Sequence, residues 1–91
     1  MKLLFCRNCG DVLKLQLGRR TCECGDSRGK YLADGDSAEI SGPNATVIAI
    51  DNVTLAEAIT NQPQTGRGTD FKAWVFAKDY FKIHRNTEGR V

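Results

Sequence analysis

The chain has 91 residues, a mass of 10.0 kDa and a formal net charge of +2 at pH 7, which leaves room for one small domain and excludes a second with its own core. With 41% hydrophobic residues and nine glycines the composition is that of an ordinary globular domain, which excludes disorder, collagen and coiled coil. A chain this short buries only a modest core, so an internal staple is expected, and four cysteines fall within the first 24 residues.

The N-terminal stretch Met1 to Phe5 meets Cys6 and Arg7 too soon for a signal peptide, and no apolar run approaches the roughly 20 residues that span a bilayer. The expectation is a soluble cytosolic protein with no membrane partner. In a reducing compartment, clustered cysteines favour a metal over the alternative of disulfides or free thiols.

Cys6 and Cys9 form a C-x2-C pair, Cys22 and Cys24 a C-x-C pair, with 12 residues between them. Each pair is followed by a glycine, Gly10 or Gly25, which allows the chain to take positive φ and curl around an ion. Four sulfurs make a soft tetrahedral site suited to zinc or to a single iron. A closed set of four ligands leaves no open position for water or substrate, which points to a structural metal. The usual ribbon has two residues inside each pair, and Glu23 stands alone inside the second.

Asp11 to Leu17 alternates, with Leu13, Leu15 and Leu17 on one face, and reads as a strand. Gly18-Arg19-Arg20 turns the chain and Thr21 leads back to the second cysteine pair, giving an N-terminal zinc-ribbon hairpin over residues 1–30 whose base the metal clamps. Residues 31–84 read as a β-rich segment with one helix. Gly29 to Ala33 is a short strand candidate ended by the turn Asp34-Gly35-Asp36, and Ala38 to Ser41 is another. After the break at Gly42-Pro43-Asn44, the β-branched run Ala45 to Ile50 has the character of a central strand covered on both faces.

Thr54-Leu55-Ala56-Glu57 has capping-box spacing, and Leu55, Ala58 and Ile59 share a helical face before Gln62-Pro63 stops the run, which predicts one short helix on the sheet. Gln64 to Asp70 is a loop, Phe71 to Lys78 a strand, and Asp79-Tyr80-Phe81 leads into a last short strand through Ile83. Residues 85–91 read as a frayed polar tail. The predicted class is α+β, mainly antiparallel β, with the ribbon joined to a small sheet and one short helix.

Charge is uneven: residues 1–30 carry +4, residues 31–70 carry −5 and residues 71–91 carry +3. Four thiolates and one divalent zinc add −2, so the loaded chain is neutral overall and a poor non-specific polyanion binder. Arg7, Lys14, Arg19, Arg20, Arg28 and Lys30 could still form a local basic patch for nucleic acid, against the plainer reading of a solvated charged hairpin.

His84 is the only histidine, which excludes a two-histidine metal site, and its expected place is a surface strand. Asp34 and Asp36 flank Gly35, and turn chemistry explains them without catalysis. Gly66-Arg67-Gly68 carries one guanidinium that could close on a phosphate or carboxylate, without the spacing of a P-loop or a dinucleotide fingerprint. Phe71, Trp74, Phe76, Tyr80 and Phe81 supply core packing by default, or a stacking face in the sharper reading.

The pattern Cys6-x-x-Cys9-Gly10-Asp11, Cys22-x-Cys24-Gly25, Ser27, Gly29, Tyr31 and Asp34 resembles small uncharacterised zinc-ribbon proteins of bacteria and their phages. The likeness continues through Gly42-Pro43, Asn52, Leu55, Ala58, Gln62-Pro63, Gly66, Gly68, Phe71 and Ala73, and ends by Tyr80. It implies a fold and an origin, with a host-cytoplasm location if the protein is phage-encoded, and no activity.

The leading expectation is therefore a non-catalytic binding module with a structural metal at Cys6, Cys9, Cys22 and Cys24 and a protein or nucleic-acid partner. One alternative is a phage-type protein that sequesters a small nucleotide-like ligand, with Arg67 and the loop from Pro63 to Asp70 as the wall and a dimer completing the site. Another is a rubredoxin-like iron electron carrier, which the lone Glu23 opposes.

Overall fold

The computed structural model describes residues 1–86, and the remainder of the expected tail, residues 87–91, lies outside them. Chain order is β1 (Lys2–Cys6), β2 (Val12–Lys14), β3 (Arg20–Thr21), β4 (Arg28–Tyr31), β5 (Ala38–Ser41), β6 (Ala45–Ile50), α1 (Asn52–Thr60), β7 (Ala73–Val75) and β8 (Ile83–Asn86). The strands form two four-stranded sheets, ordered β2-β1-β6-β7 and β3-β4-β5-β8. All pairings are antiparallel except β5 with β8. The class is α+β with mostly antiparallel strands and one short helix, as the sequence predicts.

The pairing departs from the expected ribbon. β2 does not fold back on β3; it pairs with β1, with Phe5 opposite Val12, while β3 pairs with β4, with Thr21 opposite Arg28. Each cysteine pair therefore closes its own hairpin, one in each sheet. The long strand predicted over residues 11–17 ends at Lys14 because the chain changes sheets there. The Leu15 N–H donates to the Lys2 carbonyl at 3.1 Å in the first sheet, and one residue later the Gln16 carbonyl accepts the Tyr31 N–H at 2.7 Å in the second. Leu15 is thereby buried between the sheets, while Leu17, expected on the same face, is 67% exposed.

The core is Leu4, Leu15, Ala38, Ile40, Ala45 and Val47, with Leu13, Tyr31, Phe76 and Ile83 packed against it. These residues come from both sheets. In β6 only Ala45, Val47 and Ala49 are buried, and Thr46, Ile48 and Ile50 on the other face are half-buried, so the strand is covered on one side rather than two. β1 lies along the whole of β6, from Lys2 opposite Ala49 to Cys6 opposite Ala45, which makes the first cysteine hairpin continuous with the sheet that carries the core.

The helix begins earlier than the capping-box spacing predicts. Asp51 is the N-cap, and Thr54 lies in the first turn. The Thr54 hydroxyl donates to the Asp51 carbonyl at 3.3 Å and accepts the Lys72 N–H at 2.9 Å, which fastens α1 to the chain entering β7 and takes Thr54 away from capping. Only Ala58 is buried, and Ile59 of the expected apolar face is 62% exposed. β7 keeps three of the eight residues predicted for it. β8 runs to Asn86, so Arg85 and Asn86 belong to a strand that pairs in parallel with β5, where fraying was expected.

Candidate metal centre

The first knuckle leaves β1 at Cys6 and returns at Asp11. The Cys6 N–H donates to the Asp11 carbonyl at 3.0 Å and the Gly10 N–H to the Cys6 carbonyl at 2.8 Å, a turn that Gly10 closes at φ +76°. The second knuckle repeats this with one residue fewer. The Cys22 N–H donates to the Ser27 carbonyl at 2.9 Å and the Gly25 N–H to the Cys22 carbonyl at 3.0 Å, with Gly25 at φ +82°. Glu23 does not open the site: its N–H donates to the Asp11 carboxylate at 3.0 Å, tying the second knuckle to the first.

The four sulfurs lie within 4.8 Å of one another, with Cys6 and Cys22 buried and Cys9 and Cys24 exposed. Cys6 and Cys24 are 3.8 Å apart, Cys22 and Cys24 3.5 Å. A tetrahedron with metal–sulfur distances of about 2.3 Å has edges of about 3.8 Å. The surroundings also fit thiolates: the Ser27 N–H donates to Cys22 Sγ at 3.2 Å and the Asn8 side-chain amide to Cys24 Sγ at 3.3 Å. The Ser27 hydroxyl beside them is buried without a hydrogen-bond partner among the described residues.

The charges explain what the cluster requires. The Ser27 hydroxyl, aided by the Cys9 and Asn8 backbone, pulls Cys6 down to about 6. Cys24 goes the other way, to about 11: the Asn8 amide and the Asp26 N–H lower it, but burial and the crowded Cys22 and Cys9 sulfurs outweigh them. Four thiolates this close repel one another unless a cation sits among them, so the donor set fits a divalent metal held by Cys6, Cys9, Cys22 and Cys24. The metal would join the two sheets at one end and supply folding energy.

The 42–44 turn braces the second knuckle. Gly42 has φ +106°, and a Cβ there would run into the Asp26 carbonyl. The Asn44 amide completes the contact by donating to the Asp26 carboxylate at 2.9 Å.

The other predicted residues do not gather. Arg67 is 80% exposed and pairs with Asp70 across its loop at 2.6 Å, outside the cleft between the sheets. The six-residue basic patch divides: Arg20 donates to the Lys14 carbonyl at 3.3 Å with Arg19 beside it in sequence, whereas Arg7 and Arg28 line a cleft between the sheets. Asp34 accepts the Asp36 N–H, the Ser37 N–H and the Ser37 hydroxyl at 2.9, 2.8 and 2.7 Å, which holds its carboxyl down at about 2. Asp36 is bound by Lys2 at 3.0 Å and by Lys82, so the pair serves the turn. His84 is exposed on β8.

Sequence reasoning missed the cleft, because β4, β5 and the parallel strand β8 bring Arg28 and Arg85 to one wall while Lys78 comes from the chain after β7 in the other sheet. Among the described residues no helix is long and apolar enough to cross a membrane. Comparison with family models, with curated proteins and with solved structures finds no match for this chain.

Proposed function

We propose that the protein is a non-catalytic binding module in which a zinc ion, held by Cys6, Cys9, Cys22 and Cys24, is structural and the partner is a protein. The four clustered sulfurs carry this reading. Four protein ligands fill a tetrahedral site, which leaves the metal no position for a substrate, and a spectroscopically silent d10 ion suits a purely structural task. The resemblance of the cysteine pattern to small zinc-ribbon proteins agrees with it.

The partner surface is the edge formed by β7. The strand ends its sheet and all three of its residues are exposed, Trp74 at 49%, with Phe71 just before it 42% exposed. An uncovered edge strand with large apolar side chains suits an extended segment of another protein, which adds a strand and seats its own side chains against the aromatics. A zinc-loaded chain of zero net charge favours that over nucleic acid.

The test is capture from nuclease-treated cytosolic extract by the metal-loaded protein. A specific protein should be retained by the parent chain and lost with Trp74→Glu. Capture seen only from untreated extract would instead indicate nucleic acid, and a partner retained equally by Trp74→Glu would remove β7 from the interface.

A further inference from the structure

A cleft of about 880 Å³ opens between the two sheets beside the metal centre. Its volume lies within the roughly 300–1,000 Å³ usual for small-molecule sites. Four cations line it, Arg7, Arg28, Lys78 and Arg85, against one carboxylate, Asp26. Asp26 already accepts the Asn44 amide. None of the four cations is paired with a carboxylate among the described residues, where the ion pairs are Lys2 and Lys82 with Asp36, and Arg67 with Asp70.

Two of the guanidiniums are held in place by backbone carbonyls. Arg7 donates to the Pro43 carbonyl at 2.7 Å, and Arg85 to the Gly42 and Ala45 carbonyls at 3.2 and 3.0 Å. These bonds fix the side chains without neutralising them. Arg28 carries the clearest sign of a missing partner: its Nε is buried and has no hydrogen-bond acceptor. A guanidinium that lines the cleft with an unsatisfied nitrogen, among other cations without carboxylate partners, suits an anion. Thr46 and Asn86 add polar groups to the lining, and Ile40, Val47 and the ring of Phe76 form its apolar part.

We infer that this cleft binds a small organic phosphate with a planar or apolar body, of nucleotide size. The guanidinium fork matches phosphate oxygens in pairs, and the apolar wall with its one aromatic ring accepts the body. This site touches β7 only at Val75, and it does not rest on the protein-partner reading. It is coupled to the metal, because Arg7 stands between two ligands and Gly25-Asp26 follows the last, so the metal holds one wall of the cleft.

The experiment is isothermal titration of the zinc-loaded protein with ADP and with UDP, alongside adenosine and pyrophosphate as the separated halves. At least one nucleotide should bind at one per chain, at least tenfold more tightly than either half. Lys78→Gln, at an exposed position, and Arg85→Gln should each weaken it at least fivefold, while Arg67→Gln, outside the cleft, should leave it unchanged. Thermal melts check that the variants fold; should Arg85→Gln lose stability, Lys78→Gln decides alone. No binding of either nucleotide at millimolar concentration would overturn the assignment. So would affinity for pyrophosphate equal to that for the nucleotides, or nucleotide binding unaffected by Lys78→Gln.

Discussion

Residues 1–50 and residues 51–81 are both rich in apolar side chains and use them in opposite ways. In the first region the aliphatics meet between two sheets, and Leu4, Leu15, Ala38, Ile40, Ala45 and Val47 are almost inaccessible. In the second only Ala58 is buried, while Val53, Ile59, Phe71, Trp74, Val75 and Phe81 face outward. Apolar composition alone does not decide burial. A side chain is buried when its strand lies opposite another surface, and two facing sheets supply that surface for the first region, whereas the helix and β7 sit at a margin. The aromatics of the second region cluster with one another instead: Trp74 meets Phe76 edge-on at 6.1 Å, and Tyr80 stacks with Phe76 and Phe81 at 4.9 and 5.1 Å.

If the metal and the two-sheet core hold the fold, the largest loss should come from the cysteines. Cys22→Ser, or a strong chelator on the parent protein, should abolish the cooperative thermal transition or lower its midpoint by tens of degrees, read by circular dichroism. An unchanged melting curve would break the contrast between the regions.

Core truncation comes next. Ile40→Ala should cost about 2–5 kcal/mol in denaturant unfolding, from lost burial and the cavity left behind. Trp74→Ala, at the margin, should cost about 1 kcal/mol, chiefly its contact with Phe76. Equal costs would show that the second region shares in the core. Gly29→Ala sharpens the same point: its Cβ would lie 2.9 Å from Leu15 and 3.2 Å from Ile40, where the sheets close on each other. We expect about 1–3 kcal/mol of destabilisation from the forced repacking.

The smallest effect concerns the turn. Because the folded Asp34 carboxyl is held at about 2, below its ordinary value, its contribution is complete above about pH 4 and is lost as pH falls toward 2. Asp34→Asn should therefore melt a few degrees below the parent at neutral pH, and the gap should close on acidification through that window. A constant gap would mean that the carboxylate's charge is not what stabilises the turn.

Local signals made part of this arrangement readable. Ala38–Ser41 and Ala45–Ile50 match their predicted bounds because they are β-branched or alternating runs fenced by Asp34-Gly35-Asp36 and Gly42-Pro43-Asn44. The cysteines were readable from spacing and from the glycine after each pair. Pairing was not, since nothing between Cys9 and Cys22 states that Gln16 will give its carbonyl to Tyr31 and send the chain to the other sheet. The helix start was hidden for a similar reason: Thr54 resembles a cap until Lys72, 18 residues away, takes its hydroxyl. The cleft depends on β8 lying parallel to β5, a contact no short window of sequence contains.

The central claim is that one zinc closes the four-cysteine cluster and joins the two sheets. Native mass spectrometry of untagged protein, purified without chelator, tests it most directly. The account predicts a folded chain of 10.0 kDa plus one zinc, with all four thiols reduced once the metal is removed. A folded, metal-free chain, a mass lowered by disulfide formation, or bound iron would contradict it.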